Sequence, residues 1–209
     1  MPSEALVHVI DDDEAARQSL EFLLRSARIA VRTHDSAGAF LAAVPSITSG
    51  CIITDVRMPE MSGVDLLRQL KDRRLAVPVI VITGHGDIAL AVEAMKLGAV
   101  DFLEKPFGDD VLLASVRSAL TRSERDARRE AERAELNNRV ATLSNREREV
   151  LEGLVAGHPN KIIAYDLGIS PRTVEIYRAN VMTKMQAASL SELVRMALIA
   201  GLLKSTTEP

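Results

Sequence analysis

The stretch Leu6-Val7-His8-Val9-Ile10-Asp11-Asp12-Asp13, with apolar residues at helical spacing from Glu14 onward, decides how the first half of the chain folds. A short β-type run ends in three carboxylates, and the following segment, Glu14 to Ser26, places Leu20, Leu23 and Leu24 on one helical face. The same cadence recurs to residue 120. Strand-like runs stand at Ala30 to His34, Cys51 to Thr54, Val79 to Thr83 and Val100 to Leu103. Helical patterns lie between and after them at Ala37 to Val44, Val64 to Leu70, Ile88 to Leu97 and Asp109 to Leu120. Five largely apolar strands alternating with helices predict a parallel sheet buried on both faces, an α/β fold. Ligands of such sheets bind beyond the carboxyl ends of the strands, so chemistry is expected just after each one.

With 209 residues, 47% of them hydrophobic, the chain has room for one generous core or two small ones, since a domain usually runs about 100 to 150 residues. The net charge of −3 divides unevenly: residues 1–120 carry 12 Lys and Arg against 17 Asp and Glu, and residues 121–209 carry 14 against 12. An acidic first part can concentrate a cation. The second is only weakly basic, so any nucleic-acid contact has to rest on a local patch. The single cysteine, Cys51, sits in an apolar run and reads as a buried reduced thiol. No apolar run approaches the about 20 residues of a membrane span, and Met1-Pro2-Ser3-Glu4 is unlike a signal peptide, so a cytoplasmic location is expected.

Residues 121–142 are dominated by charge, from Glu124 and Arg125 to Glu132 and Arg133, with Leu136 and Val140 near the end. Pairs such as Glu124 and Arg128 favour a helix, so the segment is expected to be a solvated helical linker between a domain at 1–120 and another at 143–204. Residues 143–204 show four helical patterns, an all-α domain, and 205–209 are expected to fray as a tail.

Several strand ends carry the groups that chemistry needs: Asp11-Asp12-Asp13, Asp55, Thr83 and Glu104-Lys105-Pro106. In a parallel sheet these converge on one rim, where close carboxylates call for a compensating cation. Mg2+ is the natural occupant, Mn2+ an alternative, with Lys105 as a fixed charge beside it, and the indicated chemistry is phosphoryl transfer. Each group also has a plain structural reading: a helix cap at Asp11 to Asp13, a turn at Asp55 before Pro59, a surface lysine at Lys105.

Taken together, Val9-Ile10-Asp11-Asp12, Thr54-Asp55-Val56-Arg57-Met58-Pro59, Val81-Ile82-Thr83-Gly84 and Glu104-Lys105-Pro106-Phe107 resemble the receiver domain of two-component response regulators, over about residues 5–120. The resemblance implies a flavodoxin-like (βα)5 fold. It implies that Asp55 accepts a phosphoryl group from a sensor histidine kinase. Asp11, Asp12, Asp55 and the backbone carbonyl of Arg57 would hold the metal, Lys105 and Thr83 would meet the phosphoryl oxygens, and Phe102 would respond as an aromatic switch. Pro106 would follow a cis peptide bond, and Asp13 would remain a helix cap. Arg57 and His85 stand where the family varies.

In the second half, Ser144 or Asn145 opens a helix, Asn160-Lys161 opens another that ends near Leu167-Gly168, and Ser170-Pro171 starts a third with an N-cap followed by proline. Two short helices joined by a glycine-containing turn form the helix-turn-helix pattern. With Val174, Val181 and Met185 facing inward, Arg172, Thr173, Glu175, Tyr177, Arg178 and Lys184 are expected to face outward, with Lys161 on the preceding helix, a mixture suited to phosphates and base edges. The structural alternative is a solvated helix in a protein-interaction bundle. Leu143-Ser-Asn-Arg-Glu-Arg-Glu-Val-Leu151, Asn160-Lys161-Ile162-Ile163-Ala164 and Leu167 to Val174 resemble the LuxR-type DNA-binding domain, with His158-Pro159 and Tyr177 as departures.

Receiver and LuxR-type module together are similar to the regulators of nitrogen fixation. That resemblance implies a homodimer when phosphorylated, an inverted-repeat operator in double-stranded DNA, and RNA polymerase as a further partner. Two other readings stay open on sequence. A Mg2+-dependent aspartyl-phosphate phosphohydrolase also uses an Asp after a strand, but normally has a second Asp where Arg57 stands. A phospho-regulated protein-interaction switch would use the helical domain on a partner helix instead of DNA.

Overall fold

A computed structural model describes residues 6–43, 49–84 and 88–202. Of the sequence expectations, those on Met1 to Glu4, Val44, His85 to Asp87 and the tail from Ser205 to Pro209 lie outside the described residues. The chain divides into two units, Met1–Ala127 and Arg128–Pro209.

In the first unit, strands β1 (Leu6–Ile10), β2 (Val31–His34), β3 (Gly50–Asp55), β4 (Val79–Thr83) and β5 (Asp101–Glu104) form one parallel sheet in the order β2-β1-β3-β4-β5. Between them lie α1 (Glu14–Ser26), α2 (Ala37–Ala43), α3 (Gly63–Asp72) and α4 (Ile88–Leu97), and α5 (Asp109–Ala141) follows β5. Strand residues alternate between two cores, as the two-residue period of a strand requires. Ile10, Ile52, Val79 and Val81 pack with Phe40 of α2, Leu66 and Leu70 of α3 and Ala94 of α4. Val7, Val9, Cys51, Ile53, Ile80 and Ile82 pack on the opposite face with Leu20 and Leu24 of α1 and Leu112 and Val116 of α5.

The expectation of burial on both faces holds for β1, β3 and β4, but not for all five strands. Arg32 of β2 and Glu104 of β5 are exposed. These two strands are the sheet edges, where one flank meets solvent and charged residues block further strand pairing.

The start of β3 is fixed by a close approach. Gly50 has φ +119°, and a Cβ there would lie 1.9 Å from the Leu6 carbonyl oxygen, so only glycine fits. Its buried N–H donates to Ser123 Oγ at 3.1 Å. Ser123 belongs to α5, which passes Leu120 unbroken and continues to Ala141. There Leu136 and Val140 enter the core of the second unit.

That second core is otherwise built by α6 (Asn145–Val155), α7 (Asn160–Leu167), α8 (Pro171–Met185) and α9 (Leu190–Ile199). Helix α6 starts in a capping box between Ser144 and Glu147. Gly168 ends α7 in the left-handed conformation at φ +62°, and Ser170 caps α8 with Pro171 at its first position. The connection between α7 and α8 is therefore three residues, Gly168 to Ser170. No helix among the described residues is long and apolar enough to cross a membrane.

Candidate functional site

Strand register brings the acidic groups to one rim. Ile10 pairs with Thr54, so Asp11 and Asp55, each the next residue, stand side by side at the carboxyl ends of β1 and β3. Asp55 pairs with Ile82, which sets Thr83 one step further, and Thr83 pairs with Glu104, which delivers Lys105. The Lys105 N–H donates to the Thr83 carbonyl at 2.7 Å, and the Lys105–Pro106 bond is cis, as the receiver resemblance implies. Because the strand order changes direction between β1 and β3, this rim lies at the topological switch point where open α/β sheets bind ligands.

The Lys105 ammonium bridges two carboxylates, donating to Asp55 Oδ1 at 2.9 Å and to Asp11 Oδ2 at 3.2 Å. Burial works to lower its pKa, but the hydrogen bond to Asp55 and the charges of Asp11 and Asp55 outweigh it, so the ammonium is held above its ordinary value. The remaining oxygens are also engaged. Asp55 Oδ2 accepts the Arg57 N–H at 2.7 Å, and Asp11 Oδ1 accepts the Asp13 N–H at 2.9 Å. Asp13 caps α1 through Ala15. Thr83 is buried, Phe102 is half-buried against the core cluster that holds Val81, and Asp12 is exposed.

The donor set suits a hard divalent cation: every side chain offered is a carboxylate. Among the described residues no three acidic, His or Cys side chains gather tightly enough to ligate one ion. Mg2+ does not require that, since it is usually bound through one or two carboxylates with water and a phosphate completing its shell. Asp11 and Asp55 on the rim, with Asp12 beside them, fit that pattern.

One contributor escaped the sequence reading. Gly63 starts α3 directly over the end of β3, where a Cβ would stand 2.3 Å from the Asp55 carbonyl oxygen, so any side chain there displaces the Asp55 backbone. Its signal was the Ser62-Gly63 pair at a helix start, which reads as ordinary capping unless the helix is known to cross the strand.

In the second unit, Lys161, Arg172 and Glu175 are exposed, and Thr173 and Arg178 are half-buried. Lys161, Glu175 and Arg178 are among the residues lining a cleft of about 610 Å3. The Thr173 hydroxyl lies 2.8 Å from Ser170 Oγ.

Of the expected outward residues, Tyr177 departs from the sequence reading, whereas Lys184 is exposed as expected but tethered. Tyr177 is half-buried and packs against the core, because an aromatic ring at this position covers apolar area that a polar side chain would leave wet. The Lys184 ammonium donates to Glu147 Oε2 at 2.6 Å and to the Thr142 carbonyl, so the side chain is tied into the module. Conversely, Ile176 is 58% exposed, with Ala179 and Asn180 also exposed. The sequence reading assigned apolar residues inward and so passed over Ile176, although the 3.6-residue period opposite Val174 and Val181 includes it.

Comparison with known proteins identifies both domains. Residues 7–117 match the response regulator receiver domain family, and residues 141–197 match the luxR family of bacterial regulatory proteins. The chain is 63% identical to the transcriptional regulatory protein FixJ of Azorhizobium caulinodans, over 96% of this chain and 95% of that protein. The crystal structure of full-length FixJ from B. japonicum is 56% identical, covers 97% of this chain and 100% of its own, and gives a TM-score of 0.59. The response regulator StyR, at 38% identity, covers 94% and 99% with a TM-score of 0.84.

Proposed function

Because the chain belongs to the response regulators of the FixJ type, with a receiver domain and a LuxR-type DNA-binding domain, we propose that phosphorylation of Asp55 by a partner histidine kinase drives its dimerisation on DNA. The regulated genes are proposed to be those of nitrogen fixation, with activation through RNA polymerase in the cytoplasm as the outcome. The observation that carries the reading is the shared cation: Lys105 holds Asp11 and Asp55 together at the rim, in the same chain as a module that exposes Arg172, Glu175 and Ile176 on its α8 helix.

In the proposed chemistry an Asp55 oxygen attacks the phosphorus of a phosphohistidine, and the phosphorus–nitrogen bond breaks as the phosphorus–oxygen bond forms. Asp11, Asp12, Asp55 and the Arg57 carbonyl would hold Mg2+ (or Mn2+), which supplies positive charge for the transferring group. Lys105, already engaged with Asp55 Oδ1, stays within reach of the new phosphoryl oxygens. Thr83 donates its hydroxyl to them, and Phe102 follows Thr83 inward. Between Thr83 and Lys105 the backbone hydrogen bond keeps the two responding residues in step.

Dimerisation is supported by α4, which buries Ala94 and leaves Ile88, Val92 and Met95 exposed, with Val111 exposed on α5. A face of this kind is costly to leave in water. On DNA, Lys161 and Arg172 are assigned to phosphates, Arg178 and Glu175 to base edges, and Ile176 to a thymine methyl. A single module makes few contacts, so two would be required on half-sites of an inverted repeat, about one helical turn apart. Phosphorylation need not be strong to control this, since moving a population from 1:99 to 99:1 takes about 5.5 kcal/mol.

The test is selection of bound DNA from a random pool, with and without acetyl phosphate and Mg2+, for wild type and Asp55→Asn. Wild type should select an inverted repeat tightly with phosphodonor and sediment as a dimer, and Asp55→Asn should lose both responses. The reading fails if Asp55→Asn still gains affinity with phosphodonor, or if no sequence is selected at all.

A further inference from the structure

A groove between α6 and α7 takes no part in the proposed DNA face. It is lined by the small and apolar Gly153, Ala156, Ile163 and Leu167 and by the carboxylates Glu149, Glu152 and Asp166, with His158, which it shares with the Lys161 cleft, and its volume is about 330 Å3. The groove exists because position 153 has no side chain: a Cβ there would meet Ile163 Cγ1 at 2.8 Å. No residue of α8 lines it. A lining with three carboxylates repels a phosphate backbone, so the groove stays open when the module lies on DNA.

Glu149 is paired with Arg146 at 2.9 Å, whereas among the described residues Glu152 and Asp166 make no ion pair. On α7, Ile162 and Tyr165 are 46% and 88% exposed, and with Asp166 they share one face of the helix at the i, i+3, i+4 spacing. Large apolar side chains exposed beside an apolar groove mark an interaction surface. Its charge selects the partner.

We propose that this groove docks a short, basic, amphipathic segment of the transcription machinery. An apolar side chain of that segment seats against Gly153 and Ile163, and its Lys or Arg residues pair with Glu152 and Asp166. The proposal rests on the reading of this chain as a DNA-bound regulator, and it names the surface through which such a regulator acts once it is on DNA.

The test uses the phosphorylated full-length protein, its selected operator and purified RNA polymerase, with Glu152→Lys/Asp166→Lys and the milder Glu152→Gln/Asp166→Asn. A synthetic helical peptide with leucine flanked by lysines, and its glutamate counterpart, serve as direct probes by fluorescence anisotropy. The lysine variant should bind operator at least as tightly as wild type, yield about tenfold less transcript and lose the basic peptide. The neutral variant should fall between. Wild type should not bind the acidic peptide.

Transcript at the wild-type level from both variants overturns the proposal, as does equal binding of the two peptides. So does a loss confined to sedimentation, which would make the groove a contact between copies of this chain. Reduced operator affinity in both variants would put the groove on the DNA face and defeat the proposal too. The phosphodonor-dependent DNA binding of wild type, measured separately, would still stand.

Discussion

The Lys184 ammonium reaches from the last turn of α8 to Glu147 at the start of α6, donating to Oε2 at 2.6 Å. The same carboxylate accepts the Ser144 N–H at 2.8 Å, so one buried group closes a helix cap and anchors the far end of the proposed recognition helix.

Removing the cation should therefore weaken the fold more than it weakens phosphate contact. Lys184→Ala is expected to cost about 1 to 2 kcal/mol of stability, discounted because the lysine is partly exposed. The salt dependence of DNA binding should keep its slope, whereas Lys161→Ala should flatten it by about one contact. The hydrogen bond from Lys184 holds the Glu147 carboxyl below its ordinary 4.5. A depressed carboxylate stabilises above the unfolded value and loses that contribution as pH falls, so wild type and variant should converge below pH 4.5 in denaturant titrations. A change of slope for Lys184→Ala would place the residue on DNA after all.

Lys105→Ala leaves Asp11 and Asp55 facing each other without their shared charge. The variant is expected to be less stable than wild type by about 1 to 3 kcal/mol without divalent ions, and to gain more from added Mg2+, as read by thermal unfolding. An equal Mg2+ response in the two proteins would separate the lysine from the metal site.

His8 and His34 form a pair that sequence did not single out. His8 Nδ1 lies 3.0 Å from His34 Nε2, and Phe40 packs edge-on to both rings. Burial, then the neighbouring His34 and Arg32, lower the His8 pKa to about 4, and burial lowers that of His34. A histidine kept neutral by the fold favours it above the unfolded value of 6.5 and opposes it as pH falls toward 4. For His8 alone the loss amounts to roughly 3 kcal/mol across that window. His8→Gln should flatten the stability profile between pH 6.5 and 4, and an unchanged profile would contradict the assignment.

Cys51 is fully buried in β3, and burial pushes its thiol up to about 12. The thiolate is the reactive form. Alkylation at neutral pH should then proceed only through unfolding, with the rate rising in step with denaturant; rapid labelling of native protein would count against this packing.

The sheet was legible because each strand is a short apolar run bounded by polar residues, and Leu6–Ile10 and Val79–Thr83 fall at the expected residues. The rim was legible because a parallel sheet sends every strand end the same way. What sequence missed depends on distance across the fold. Nothing near Lys184 announces Glu147, 37 residues earlier, as its partner, and nothing near Gly63 announces the Asp55 carbonyl beneath it. Ile176 was hidden by a rule that is right for most apolar residues and fails where an apolar side chain is turned to solvent.

The hydrogen bond from Gly50 to Ser123 sets a practical limit on dissection. A receiver fragment cut after Leu120 retains the helix turns that cover the sheet, yet it strips the Ser123 acceptor from the buried Gly50 N–H. An orphaned donor of this kind costs about 1 to 3 kcal/mol, enough to blur a transition in a domain of this size. Fragments carried through Ala127 should unfold in one sharper, higher step than those ending at 120, and studies of phosphoryl lifetime on the shorter piece would be measuring a loosened β3, the strand that carries Asp55.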